Sequence, residues 1–211
     1  MEHILITSFE PFNNETINSS LEVLRLIDRD YLIKEILPLS FIDAKNIMEE
    51  LIVKYKPRFI INLGQYNGDI LRIEKFAHNY QRSLTPDNIG FIIKKGNIYD
   101  NKDICLETII DVETLCEYGF NQGIKSEISL SCGSFVDNTV YYTSLLNNRR
   151  KALFINVPQE INEKNNLDKI AFEIATFVDF LHSRILKRWW IDKKSKILSK
   201  ISCNMLEKVV L

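Results

Sequence analysis

The chain has no clustered cysteines and no long apolar run, and both absences narrow its class. Cys105, Cys116, Cys132 and Cys203 lie far apart, with no Cys-x-x-Cys pair among them. Disulfide scaffolds and structural zinc sites need thiols close together, so neither is expected, and a reducing cytoplasmic setting is. No stretch approaches the roughly 18 apolar residues of a membrane span. A signal peptide is not expected either, because the strand-like run His3-Ile-Leu-Ile-Thr7 begins almost at once. Internal repeats and low-complexity linkers are also missing. Nothing in this pattern calls for a metal or a cofactor.

What is present is ordinary globular material. The 211 residues are 45% apolar and 26% charged, enough for one well-buried domain and short for two. The formal charge of −1 hides an asymmetry. Residues 182–211 carry eight Lys/Arg against Asp192 and Glu207, a net of +6, so the remainder carries −7. Such a tail reads as a solvated basic face or as a surface for an acidic partner. It holds no nucleic-acid motif, and nucleic acid is not an expected partner.

Short Ile/Leu/Phe-rich runs alternate with helical patterns. His3–Thr7, Ile33–Leu37, Phe59–Leu63, Ile128–Ser131 and Leu153–Val157 read as strands, apolar on both faces as central parallel strands are. Leu21–Ile27, Ala44–Tyr55 and Leu167–Leu186 carry apolar residues at helical spacing. Asp111–Gly119 opens on a capping aspartate and closes on a glycine, which predicts a short helix. Phe91–Tyr99 suggests a β-hairpin on Lys-Gly-Asn, outside the main sheet. The β-α-β order predicts a three-layer α/β/α sandwich with a mostly parallel central sheet over 1–183. Residues 184–211, which include Trp189 and Trp190, form a basic C-terminal helical extension in this reading.

Five separate stretches, in order, resemble the pyroglutamyl peptidase I family of cysteine peptidases over about residues 3–181. Ile4–Asn18 is similar to the family's opening strand and Gly-Phe-Glu-Pro-Phe-Gly-Gly loop, with Ser8, Asn13 and Asn14 where the family has glycines. Leu63-Gly-Gln-Tyr-Asn-Gly68 resembles its Gly-Gln-Ala-Gly-Gly turn. Ile73–Asn79 resembles the stretch carrying its catalytic glutamate, and Pro86-Asp-Asn-Ile-Gly90 its Pro-Asp-Asn-x-Gly loop. Ser129–Leu145 and Ala152–Pro158 look like the segments that carry its cysteine and histidine. Tyr141-Tyr-Thr-Ser-Leu145 leans toward the eukaryotic branch.

The resemblance implies a departure as well as a likeness. The family's cysteine falls on Asp137 and its histidine on Asn156, while Glu74 keeps the position of its glutamate. The family's arginine before Pro-Asp-Asn aligns with Leu84, with Arg82 out of register. For substrate binding the resemblance implies Phe9, Phe12, Gln65 and Phe135, with Asn18 bracing the first loop. Asn67 and Asn14 add side chains at former glycine turns, which narrows the cleft.

A carboxylate cannot simply replace a thiolate. Its adduct with an amide expels the carboxylate, the conjugate base of an acid of pKa about 3.9, and reverts to substrate. Asn156 does not titrate near neutrality and cannot protonate a leaving amine. Two rearranged sites remain conceivable: water activated between Asp137 and Glu74, and Cys132 as nucleophile with His78 as base. Asp137 also has a structural reading, as a carboxylate capping a helix N-terminus. The reading these residues support is a pyroglutamyl peptidase I-like protein without peptidase chemistry, binding pyroglutamyl-like N-termini or a protein partner. The alternatives are an active pyroglutamyl hydrolase with a rearranged site, and an interaction module acting through the basic tail.

Overall fold

A computed structural model of the chain describes residues 3–12, 15–159 and 166–184. Among the described residues, eight strands and five helices follow in the order β1 (Ile4–Phe9), α1 (Ser19–Leu26), β2 (Leu32–Leu37), α2 (Phe41–Tyr55), β3 (Phe59–Tyr66), β4 (Leu71–Glu74), β5 (Phe76–His78), β6 (Cys105–Glu107), α3 (Val112–Asn121), β7 (Ser126–Ser129), α4 (Val136–Asn147), β8 (Ala152–Pro158) and α5 (166–184). The chain divides into two compact units, Met1–Ala175 and Thr176–Leu211. All the sites described below lie in the first. Apart from Arg184, the basic extension expected over 184–211 lies outside the described residues, as does Asn14.

The main sheet runs β2-β1-β3-β8-β4-β7. β2, β1, β3 and β8 are parallel, and β4 enters antiparallel to β8 while pairing parallel with β7. This is the mostly parallel α/β fold expected from the alternation of elements. Every residue of β1 and β8 is buried, as their unbroken apolar runs require.

Alternation along β1 sorts the helices into layers. Thr7 points to the face where Asn62 donates to its Oγ1 at 2.8 Å and approaches Met48 of α2. Ser8 points the other way and meets Ser20 of α1 at 2.8 Å. Consecutive strand residues face opposite sides, so α1 and α2 lie on opposite faces of the sheet. α4 packs beside α2 and over β3 and β8.

α4 is buried all round, with eight consecutive buried residues from Asn138 through Leu145 and Val136 before them. Its polar side chains are accordingly bonded. Ser144 donates to the Val140 carbonyl at 2.8 Å, and Tyr142 donates to that of Asp103 at 2.6 Å.

Two local expectations are corrected. Phe91–Tyr99 is not a hairpin: the segment is irregular, with a bridge between Gly96 and Gln81 and a backbone bond from Ser83 to the Ile93 carbonyl. The Lys-Gly-Asn signal marks that bridge, and Asn79 Oδ1 takes the Ile98 and Tyr99 amides that a hairpin would have paired. α3 begins at the expected cap, where Asp111 accepts from the Thr114 amide at 2.9 Å. It does not end at Gly119 but at Asn121, and Gly123 takes the left-handed turn with φ 79°.

Candidate functional site

Strand alternation and register gather one set of side chains under α4. Gly64 of β3 pairs with Asn156 of β8, Arg72 of β4 pairs with Asn156, and Glu74 pairs with Phe154. Paired residues share a face, and so do residues two apart, so Gly64, Phe154, Asn156, Arg72 and Glu74 all point to the same side. Asn156 Nδ2 donates to Glu74 Oε1 at 2.6 Å. Glu74 is 1% exposed, and its Oε2 has no well-aligned hydrogen bond. Burial pushes its carboxyl above the usual range, while Ser129, Arg72, Ser131 and Asn156 act against that rise.

Asp137 comes down onto this face from the first turn of α4. A Cβ built on Gly64 would lie 2.5 Å from Asp137 Oδ1 and 2.6 Å from Phe154 Cζ, so only glycine leaves room for that carboxylate. Asp137 acts as a carboxylate at the helix N-terminus from inside the first turn, not from the cap position. The cap position is Phe135, which makes no side-chain capping bond, and Asp137 sits two residues further on. Its carboxylate accepts from its own backbone amide, and crowding by protein pushes its pKa up to about 6 although it keeps some solvent access.

The other proposed reactive pair is not assembled. Cys132 is partly buried against the core, and burial together with the charges of Glu74 and Asp137 pushes its thiol well up, against thiolate formation. His78 lies on β5, where its amide donates to Asn138 Oδ1 at 3.0 Å and Asn138 Nδ2 donates to its carbonyl at 2.8 Å. Among the described residues no hydrogen bond joins Cys132 to His78. Leu84 is 84% exposed, and Arg82 pairs through its backbone with Ser134 just before α4.

The residues expected to bind substrate divide into two groups. Phe9 is buried in the core at 1% exposure, so it supports the site from beneath. Phe12 and Phe135 are partly buried and meet edge-to-face at 5.6 Å, and Phe135 meets Phe41 the same way at 5.1 Å. Gln65 is already engaged: its Oε1 accepts from the Ser19 amide at 3.0 Å, and its Nε2 donates to Glu15 at 3.1 Å. Asn18 caps α1, accepting from the Ser20 amide at 3.0 Å, and donates to the Glu10 carbonyl at 3.3 Å. A shallow cavity of about 360 Å³, lined by Arg82, Ser83, Leu84, Thr85, Ser134 and Phe135, opens beside the start of α4.

Three supporting residues were not found from the sequence. Gly64 was noted only as part of a turn, although its missing side chain makes the seat for Asp137. Asn138 ties α4 to the segment after β4, also bonding the Tyr80 carbonyl at 2.8 Å. Tyr141, fully buried, donates to the Glu74 carbonyl at 2.8 Å. A helix with polar residues on every side was the available signal, because such a helix needs partners all round. The Pro86–Gly90 loop is explained in the same way. Asp87 accepts from the Phe41 and Phe91 amides, and Asn88 bonds Glu10 and the Pro11 carbonyl, joining this loop to the one after β1.

With that geometry in place, comparison with known proteins is direct. The family model described as pyroglutamyl peptidase matches residues 2–173. The chain is 34% identical over 144 residues to the pyrrolidone-carboxylate peptidase of Lactobacillus acidophilus, covering 66% of this chain and 72% of that one. It is 33% identical over 176 residues to that of Thermosipho africanus, covering 77% and 86%. Its fold matches a mutant pyrrolidone carboxyl peptidase from Pyrococcus furiosus with a TM-score of 0.77 at 23% identity, covering 87% of this chain and 99% of that one. The Thermus thermophilus enzyme of the same name matches with a TM-score of 0.76 at 25% identity, covering 83% and 98%. The chain belongs to the pyroglutamyl peptidase family. No described helix is long and apolar enough to cross a membrane.

Proposed function

We propose that this chain is a member of the family that holds peptide N-termini without cleaving them. One observation carries the reading: Asp137 and Asn156 stand where the family resemblance places its cysteine and histidine. Asn156 donates to Glu74 at 2.6 Å, so the amide fills the imidazole's place as a fixed hydrogen-bond bridge with no proton to deliver.

The chemistry follows from leaving groups. Attack by Asp137 on an amide would form a tetrahedral adduct whose best leaving group is Asp137 itself. Loss of a peptidase nucleophile costs on the order of 10⁶ in turnover. Cys132 does not replace it, since neighbouring carboxylates disfavour its thiolate. A proton-sharing dyad of Asp137 and Glu74 is disfavoured too, because Asn156 holds Glu74 Oε1 and Asp137 bonds its own backbone amide, not Glu74.

The assignment to the eukaryotic branch rests on Tyr141–Leu145, and two of those residues have structural duties here. Tyr141 bonds the Glu74 carbonyl and Tyr142 the Asp103 carbonyl. A cytoplasmic location is part of the same proposal, supported by the scattered cysteines.

The test is a fluorogenic pyroglutamyl amide incubated with the purified chain and with Glu74→Ala and Cys132→Ala variants. The expected result is no turnover, or an equal trace in all three preparations from a co-purifying peptidase. Turnover abolished by either substitution would establish an active enzyme with a rearranged site.

A further inference from the structure

A second cavity, of about 420 Å³, opens at the far end of the sheet from Asp137 and Asn156. It is lined by residues at the start of three neighbouring parallel strands. There the Arg58 amide donates to the His3 carbonyl at 2.9 Å, and the Ile60 amide to that of Lys151 at 3.1 Å. The C-terminal ends of α2 and α4 meet the same cavity, through Tyr55 and Lys56 and through Asn148 and Arg149. Lys151 and Asn156 are five residues apart along β8, roughly 16 Å at strand spacing, so this cavity is separate from the candidate site.

Its charge is of one sign. Lys56, Arg58, Arg149 and Lys151 all line it, and among the described residues no Asp or Glu does. Composition does not explain this, because residues 1–181 are acidic overall. Helix capping explains only part of it. The C-termini of α2 and α4 each bring about half a negative charge, so about three positive charges remain unanswered. Among the described residues Lys56 and Arg149 form no salt bridge. The nearby acids are engaged elsewhere: Glu35 accepts from the Tyr55 hydroxyl at 2.6 Å, and Asp103 pairs with Arg150 at 3.4 Å.

Backbone conformation points the same way. Lys56 and Arg149 have φ values of 46° and 53°, in the left-handed region that glycine enters freely and other residues rarely do. Helices commonly end on glycine in that conformation. Here the chain bears the strain twice and keeps a long cation on the cavity wall each time.

Phosphate is the anion that suits this wall. Each phosphate group concentrates about −1.5 to −2 charges on three acceptor oxygens, and a guanidinium fork meets two of them with parallel N–H bonds. A carboxylate carries a single charge, so a peptide would have to crowd several side chains into the same volume. We infer that this cavity binds a small, multiply charged phosphate anion, a free oligophosphate or the phosphate chain of a nucleotide, held by Lys56, Arg58, Arg149 and Lys151. The inference does not depend on whether the chain cleaves peptides.

Glycine gives a variant that keeps the fold, since both backbone positions favour it. Inorganic tripolyphosphate, magnesium-free ATP and tetraglutamate are each titrated by calorimetry at fixed ionic strength. The preparations are the full chain, a Lys56→Gly/Arg149→Gly variant and a Lys94→Ser/Lys95→Ser variant, which removes two exposed charges elsewhere. Thermal melts check that each is folded. The basic C-terminal residues are present in all three, so binding there would not respond to the glycine pair. The expected result is one tripolyphosphate per chain, weakened at least about tenfold by the glycine pair and unchanged by the serine pair. Tighter binding of ATP would identify a nucleotide as the source, and equal or weaker binding a free oligophosphate. Tripolyphosphate affinity that survives the glycine pair overturns the inference. So does an equal loss in the serine pair, tetraglutamate binding as tightly as tripolyphosphate, or no binding at all.

Discussion

Asn156 and Glu74 form a 2.6 Å hydrogen bond across the antiparallel pairing of β8 with β4, and both are buried. The amide is the donor, so it stabilises the ionised form of an acid whose other oxygen lacks a well-aligned partner. Removing the amide alone takes from a buried carboxylate its one well-aligned donor. Asn156→Leu is therefore expected to cost about 1–3 kcal/mol. Adding Glu74→Leu removes the stranded group, and much of that loss should return. Urea denaturation of both single variants, the double variant and the wild type checks this. A double variant as unstable as the sum of its parts would show that the pair is not coupled.

Gly64 is the second structural condition of the site. Its Cβ position lies 2.5 Å from Asp137 Oδ1 and 2.6 Å from the Phe154 ring. Gly64→Ala should destabilise by about 1–3 kcal/mol, the range for overpacking. Asp137→Ala in the same chain should recover only part of this, because the ring contact remains. Thermal melts of the single and double variants measure the recovered share. Full recovery would mean that the carboxylate alone fills the space above Gly64.

How legible this was follows from the kind of signal each residue carries. The central strands were readable because burial on both faces leaves unbroken apolar runs, as in Ile4-Leu-Ile and Ala152-Leu-Phe-Ile. β4 was not, because Leu71-Arg-Ile-Glu74 is four residues long and alternates with charge, and its antiparallel entry between β8 and β7 is a long-range fact. The positions of Glu74, Asp137 and Asn156 could be named from ordered motifs. Their contacts could not: nothing local to Gln65 reveals that Ser19 and Glu15 occupy it, and nothing local to Phe9 reveals its depth. The supposed hairpin at Phe91–Tyr99 failed for a related reason. Turn residues specify a bend, while the partner of each strand amide is set by distant groups, here Asn79 and Gln81.

The pH dependence of stability has a definite sign. Burial raises Asp137 from an ordinary aspartate value to about 6, so the folded chain binds a proton there more tightly than the unfolded chain. Between about pH 4 and 6 the unfolded state holds fewer protons at this group, and stability from it falls as pH rises. Above pH 6 the charged carboxylate carries its full cost. Asp137→Asn, neutral and of the same shape, should therefore be more stable than wild type at pH 7.5, by about 1–2 kcal/mol after allowance for partial solvent access. At pH 4 the two should be nearly equal. Denaturant midpoints at the two pH values decide it. A variant less stable at pH 7.5 would restore the helix-terminus reading, in which Asp137 stabilises α4.

The retained scaffold can be tested by returning the chemistry to it. Asp137→Cys would place a thiol in the first turn of α4, where the helix dipole favours thiolate. Asn156→His would place an imidazole where an N–H already reaches Glu74 Oε1 at 2.6 Å, the bond that orients a catalytic base. A nucleophile and its base act as a unit, so each substitution alone should leave turnover of a pyroglutamyl amide at the wild-type level. The double variant should turn over measurably, and slowly. Leu84 brings no charge to the oxyanion, Gln65 must first leave Ser19 and Glu15, and burial at position 137 opposes the thiolate. Exchanging Leu84→Arg in the double variant should then raise kcat more than it lowers KM, since charge on the oxyanion develops only in the transition state. A folded double variant with no turnover would mean that α4 and β8 no longer hold these positions in reacting register.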